Sequence, residues 1–128
     1  MKKLFFLLLT VILLTACGHT EENDLEAVYV NITAKEAKEI MDTESGYIIL
    51  DVREQDEYDA GHIPGAILIP YTQIEEMAGE VLPDKNQLIL VYCRSGRRSK
   101  IAAEALVELG YTNIREFGGI IDWPYEVE

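Results

Sequence analysis

Two short runs, Tyr47-Ile48-Ile49-Leu50 and Leu88-Ile89-Leu90-Val91-Tyr92, are apolar or aromatic at every position. A strand with one wet face alternates apolar and polar residues. A strand apolar throughout is buried on both faces, the condition of a parallel sheet covered by helices on each side. The rest of the chain supplies those helices. Thr33-Ala34-Lys35-Glu36 is a capping box, and the helix it opens carries Ala34, Ala37, Ile40 and Met41 on one face until Ser45-Gly46 breaks it. Glu54 to Ala60 reads as a short helical turn and Gly61-His62-Ile63-Pro64-Gly65 as a turn cluster. Thr72 to Ala78 reads as a helix with Ile74, Met77 and Ala78 inward, weakened at its end by Gly79 and followed by a surface turn at Pro83-Asp84-Lys85-Asn86. Ser99 to Leu109 reads as another, with a stripe of Ile101, Ala102, Ala105, Leu106 and Leu109, Glu104 and Glu108 outward, and Gly110 as its left-handed stop.

Val28-Tyr29-Val30, Ala66 to Ile69 and Asn113 to Glu116 are shorter strand candidates. Phe117-Gly118-Gly119-Ile120 reads as a turn and Trp123-Pro124 as the end of the fold. The order is β-α-β-α-β-α-β-α-β. It predicts an α/β domain of three α/β/α layers, with five parallel strands, right-handed crossovers and Leu88–Tyr92 at the centre. At 128 residues the chain holds one such domain. In such sheets ligands sit beyond the carboxyl ends of the strands.

Cys93-Arg94-Ser95-Gly96-Arg97-Arg98 lies there, between the central strand and the helix at Ser99. Unpaired helix N–H groups and the positive end of the dipole make that junction an anion site and favour a thiolate. Gly96 lets the backbone curl so that successive N–H groups face inward. Three arginines in six residues add fixed positive charge to a chain of net charge −12. An isolated cysteine is more often a buried small hydrophobe, but a core cysteine needs neither the arginines nor the glycine.

These residues resemble the active-site loop of rhodanese-type sulfurtransferases. A second stretch, Asp51-Val52-Arg53-Glu54-Gln55-Asp56-Glu57-Tyr58-Asp59-Ala60-Gly61-His62-Ile63-Pro64-Gly65-Ala66, is similar to the family's other signature. The resemblance covers about Val28 to Trp123 and implies the same five-stranded fold, a rhodanese-like domain over 28–126. Arg94, Gly96 and Arg98 fit the thiosulfate-type loop, and Arg94, Arg97 and Arg98 depart from the mercaptopyruvate type. Related phosphatases and arsenate reductases carry an arginine at the sixth position after the cysteine, where this chain has Ser99.

The resemblance implies a two-step transfer. Cys93 takes the outer sulfur of a small anionic donor such as thiosulfate as a persulfide, and a thiol, or cyanide in an assay, removes it. Backbone N–H groups from Arg94 to Ser99 would hold the anion, and Arg94 and Arg98 the donor's oxygens. Arg97 would share that work or face solvent. Asp51, Arg53 and Glu57 are expected to form an ion-pair network after the strand, with Arg53 adding charge at the pocket rim. His62 is expected to be a satisfied turn histidine. The chemistry calls for no cofactor and no metal. A non-catalytic binding or sulfur-carrier module is the competing reading, and a phosphatase or arsenate reductase a lesser one.

The first 16 residues read as a targeting segment: Lys2-Lys3, then an apolar core from Leu4 to Leu14 too short to span a bilayer. Leu14-Thr15-Ala16-Cys17 resembles a bacterial lipoprotein box, which implies cleavage before Cys17 and a lipid on its sulfur. An ordinary secretory peptide or an uncleaved anchor is the alternative. More than one acyl chain would hold the protein stably at a membrane, on the extracytoplasmic face, periplasmic or outer. Residues 17–27 would be the lipidated cysteine and its polar tether, in which His19 carries no argument. With Lys2 and Lys3 removed from the 11 basic residues, 9 face 23 acidic ones, a net charge near −14. That argues against nucleic acid as a partner. Of two cysteines, lipidation of Cys17 leaves Cys93 as the single free thiol, without a disulfide partner.

Overall fold

The computed structural model describes residues 28–128. The signal segment, Cys17 and the tether lie outside the described residues. β1 (Val30–Asn31) leads to α1 (Ala34–Thr43), β2 (Ile48–Asp51), α2 (Gln55–Ala60) and β3 (Ile67–Leu68). A 3₁₀ turn at Tyr71–Gln73 runs into α3 (Ile74–Val81), then β4 (Ile89–Cys93), α4 (Arg97–Glu108), β5 (Ile114–Gly119) and a 3₁₀ turn at Ile120–Asp122. The five strands are parallel in the order β1-β5-β4-β2-β3. β4 is central, as expected, and all five of its residues are buried.

Alternate residues of the two apolar strands feed separate cores, as the two-residue period of a strand requires. Leu50, Ile89, Val91 and Cys93 join Ile74, Ala78, Ala102, Ala103 and Leu106 from α3 and α4. Ile49, Leu90 and Tyr92 join Ala37 of α1 with Phe117 and Trp123. The chain steps outward from β2 to β3, then returns to β4 and continues outward through β5. Strand order therefore reverses between β2 and β4, and the crevice at such a reversal is where parallel sheets place ligands. Asp51 ends β2 and Cys93 ends β4, so the two motifs meet there.

Several elements depart from expectation. β1 pairs through Val30 and Asn31, a little later than the Val28–Val30 run. α3 continues through Gly79 to Val81 because tertiary contacts hold its end: Tyr111 Oη lies 2.9 Å from the Ala78 carbonyl and 2.6 Å from that of Leu82. α4 begins at Arg97, ahead of Ser99, and buries Ser99, Ala102, Ala103 and Leu106, whereas Ile101 is exposed. β5 runs through Phe117 to Gly119, with an irregularity that pairs Val91 with Glu116 but Cys93 with Gly119. The extra β5 residue is a bulge, and bulges beside active sites re-aim the chain. The chain also stays ordered past Trp123-Pro124: Glu128 N–H donates to the His62 carbonyl (2.8 Å) and His62 N–H to that of Glu128 (2.9 Å).

Candidate active site

Cys93 ends the central strand with no exposed surface. Gly96, at φ 101°, turns the chain from β4 into α4 as its N-cap, a conformation that favours glycine. Its N–H donates to Cys93 Sγ at 3.0 Å, and Ser99 Oγ lies 3.4 Å from the same sulfur. Burial pushes the thiol pKa up. The Ser99 hydroxyl and the amides of Ser99, Gly96 and Ser95 push it down further, and the net position is below the ordinary value. The expected cradle of backbone N–H groups is thus assembled, with a serine hydroxyl added to it.

The arginines divide. Arg94 and Arg97 are exposed, and Arg94 lines an open cavity of about 520 Å³ together with Arg53 and Glu57. Its far wall is apolar: Ile120, Ile121 and Trp123. Arg98 differs from expectation. Both its terminal nitrogens donate to Glu57, at 2.6 and 2.8 Å, in a bidentate pair joining the first turn of α4 to α2. Its charge still acts on the Cys93 sulfur, but its fork is occupied.

Glu57 has therefore left the network in which it was expected. Asp51, fully buried, accepts from Arg53 N (2.9 Å), Nε (3.1 Å) and Nη2 (2.7 Å) and from the Tyr92 hydroxyl (2.6 Å). Arg53 Nη2 also donates to the Gly61 carbonyl at 2.7 Å. Asp51 and Arg53 thus pin the segment after β2 as expected, without Glu57. His62 stacks on Tyr58 with ring centroids 3.8 Å apart, and its Nδ1 lies 2.9 Å from the Tyr58 carbonyl, a satisfied turn histidine.

The Arg98 pair sets a pH dependence. Its hydrogen bonds hold the Glu57 carboxyl at about 2, against an ordinary 4.5. A depressed carboxylate stabilises the fold above its unfolded pKa and loses that contribution as pH falls through the folded one. Wild type should therefore lose stability relative to Glu57→Gln between pH 4.5 and about 2, by on the order of 1 kcal/mol for a partly exposed pair. Urea unfolding of both proteins across that range checks it; parallel curves would contradict the pair's role.

Two further residues belong to the site that the sequence did not place there. Gly119 touches the loop directly: a Cβ built on it would lie 1.9 Å from the Arg94 carbonyl oxygen. Glu116, only 2% exposed, accepts from Ser99 Oγ at 2.6 Å and from Gly118 N–H at 2.8 Å. The pair Gly118-Gly119 was the one hint of a close approach; a lone glutamate in Arg115-Glu116-Phe117 gave none.

Chemically, the amides, the Ser99 hydroxyl and the Arg98 charge around Cys93 Sγ can hold the sulfur as an anion, with Arg94 exposed on the next residue. Fold and site together define a sulfurtransferase. The model of the rhodanese-like domain matches residues 33–124, and the chain belongs to that family. Thiosulfate sulfurtransferase PspE of Escherichia coli is 42% identical over 73 residues, 57% of this chain and 70% of PspE. The putative sulfur carrier protein YrkF of Bacillus subtilis is 35% identical over 111 residues, 86% of this chain and 58% of YrkF. Among solved structures, a rhodanese with anions from E. coli matches at a TM-score of 0.60 and 38% identity, covering 64% of this chain and 96% of that one.

Proposed function

We propose that the chain moves a sulfane sulfur from thiosulfate, or a donor like it, to a thiol through a Cys93 persulfide. The observation that carries this reading is the cradle: a buried sulfur with the Gly96 N–H at 3.0 Å and the Ser99 hydroxyl at 3.4 Å, followed directly in the chain by the exposed Arg94. The Cys93 thiolate attacks the outer sulfur of thiosulfate. The S–S bond breaks, its electron pair leaves with sulfite, and Cys93 keeps the sulfur as a persulfide anion. After transfer the negative charge sits on the outer sulfur, one S–S bond from Sγ, within the positive field of the helix start and its N–H groups. A thiolate, or cyanide in an assay, then takes the outer sulfur and the Cys93 thiolate is regenerated.

Arg94 is the guanidinium best placed to draw in the donor, with Arg98 contributing charge from its pair with Glu57. The similarity to PspE supports thiosulfate as donor. The similarity to YrkF supports a carrier that stops at the persulfide. For the anchor, the Lys2-Lys3 and Leu4–Leu14 pattern and the box ending at Cys17 support a lipoprotein on the extracytoplasmic face. No helix among the described residues is long and apolar enough to cross a membrane.

The test is the mass of the chain after incubation with thiosulfate, with Cys93→Ser as the blank. One added sulfur on the Cys93 peptide, discharged by cyanide as thiocyanate over many cycles, is the expected result. A persulfide without turnover assigns the carrier role. No added sulfur on Cys93, or equal uptake by the blank, overturns both readings.

A further inference from the structure

The transfer scheme leaves one buried ionisable group without a task. Glu116 is 2% exposed, and among the described residues it pairs with no cation. Its neighbours are the Gly118 N–H and the Ser99 hydroxyl. It sits on β5 opposite Val91, on the same face as Ile114 two residues earlier, and reaches Ser99 of α4. Water has little access to it, so a proton it exchanges passes through Ser99.

The hydrogen count at Ser99 makes this specific. The hydroxyl has one hydrogen. Its oxygen lies 2.6 Å from Glu116 Oε1, 3.0 Å from the Gly96 carbonyl, 3.4 Å from the Gly118 carbonyl and 3.4 Å from Cys93 Sγ. Two oxygens 2.6 Å apart require a hydrogen between them. When Cys93 is a thiol, its S–H points to Ser99 Oγ and the hydroxyl hydrogen points to Glu116. When Cys93 is a thiolate, the hydroxyl hydrogen turns to the sulfur. The hydrogen on the short contact must then belong to Glu116. The two arrangements contain the same atoms and differ in where two hydrogens sit.

We infer that Glu116 stores the Cys93 proton, exchanging it through the Ser99 hydroxyl. Ser99 touches the reacting sulfur; Glu116 acts through it as a positioning residue for the proton. In the first half-reaction the S–H bond breaks, Ser99 takes that proton and passes its own to Glu116, and the freed thiolate attacks the donor. In the second, the acceptor removes the outer sulfur, the S–S electron pair returns to Cys93 Sγ, and the proton comes back along the same path. The inference rests on Cys93 being the nucleophile, and it supplies that nucleophile with a base.

The test reads the thiol itself, so its outcome is separate from whether any sulfur donor works. Iodoacetamide alkylation of the Cys93 peptide is followed against pH in the full chain, in Glu116→Gln and in Glu116→Asp. If Glu116 takes the thiol proton, its loss leaves fewer thiolates, and Glu116→Gln should alkylate roughly tenfold more slowly near neutral pH, its rise displaced to higher pH by about one unit. A carboxylate that only repelled the thiolate would act the other way, and its removal would speed alkylation. Tyr29 faces Glu116 and Arg98 faces Cys93; both are pushed above their ordinary values, so neither changes charge across the neutral range. A rate equal to or above wild type in folded Glu116→Gln overturns the inference. Should Glu116→Gln not fold, Glu116→Asp decides it: the charge remains but the carboxylate withdraws from Ser99, and an unchanged rate overturns the inference.

Discussion

Replacing Gly119 with alanine lowers sulfur transfer by roughly a hundredfold while the sheet stays folded. The backbone at Gly119 is extended, φ −127° and ψ 153°, and any residue adopts it. The obstacle is space. An alanine Cβ would lie 1.9 Å from the Arg94 carbonyl oxygen, 2.3 Å from its carbon and 2.5 Å from Ser95 Cα. These are backbone atoms, so no rotamer relieves the clash. The loop itself must move, and with it the amides of Ser95 and Gly96 that face Cys93. The hydrogen bond from Ile121 N–H to the Arg94 carbonyl, 3.2 Å long, shifts too. A displacement of about 1 Å in a group that positions the reaction costs on the order of 10² in rate. Steady-state kinetics beside a urea titration check this. A kcat/KM within a few-fold of wild type would mean that the loop tolerates displacement.

Asp51→Ala acts on the fold instead. Arg53 is 5% exposed, and among the described residues its one ion-pair partner is Asp51, at 2.7 Å. Removing one partner of a buried pair strands the other and costs about 3–5 kcal/mol. Tyr92 loses the acceptor of its hydroxyl in the same change, while that hydroxyl still accepts from Ile63 N–H. Against a total stability of about 5–15 kcal/mol for a domain, the variant should unfold at a far lower urea concentration. A shift worth under ~1 kcal/mol would show that water reaches Arg53 and replaces the carboxylate.

What could be read from the sequence was what repeats locally. The fully apolar runs at β2 and β4 announced a covered parallel sheet, and Thr33 with Glu36 announced α1, whose capping box is present. Cys93, Gly96 and the arginines marked the cradle because a helix start, a flexible residue and fixed charge occur within a few positions. What could not be read depends on neighbours far along the chain. Glu57 and Arg98 are 41 residues apart, and either could have met another charge first. The β5 bulge was hidden because Phe117-Gly118-Gly119 has turn composition; its glycines serve one left-handed position, Gly118 at φ 86°, and one close approach. Ile101 fits the helical period but lies beyond the reach of the sheet, where Ala103 is buried instead.

Both outer strands, β1 and β3, are only two residues long. An open sheet edge invites another chain to add a strand, and very short edges are one of the ways proteins refuse it. Here each border offers a ladder too brief to hold a visitor, while the longer hydrogen-bonding strands are enclosed between neighbours. Many copies of this domain crowded side by side would lack the seam along which sheets fuse into fibres. The brevity that made β1 and β3 faint in the sequence is also what keeps the sheet from growing.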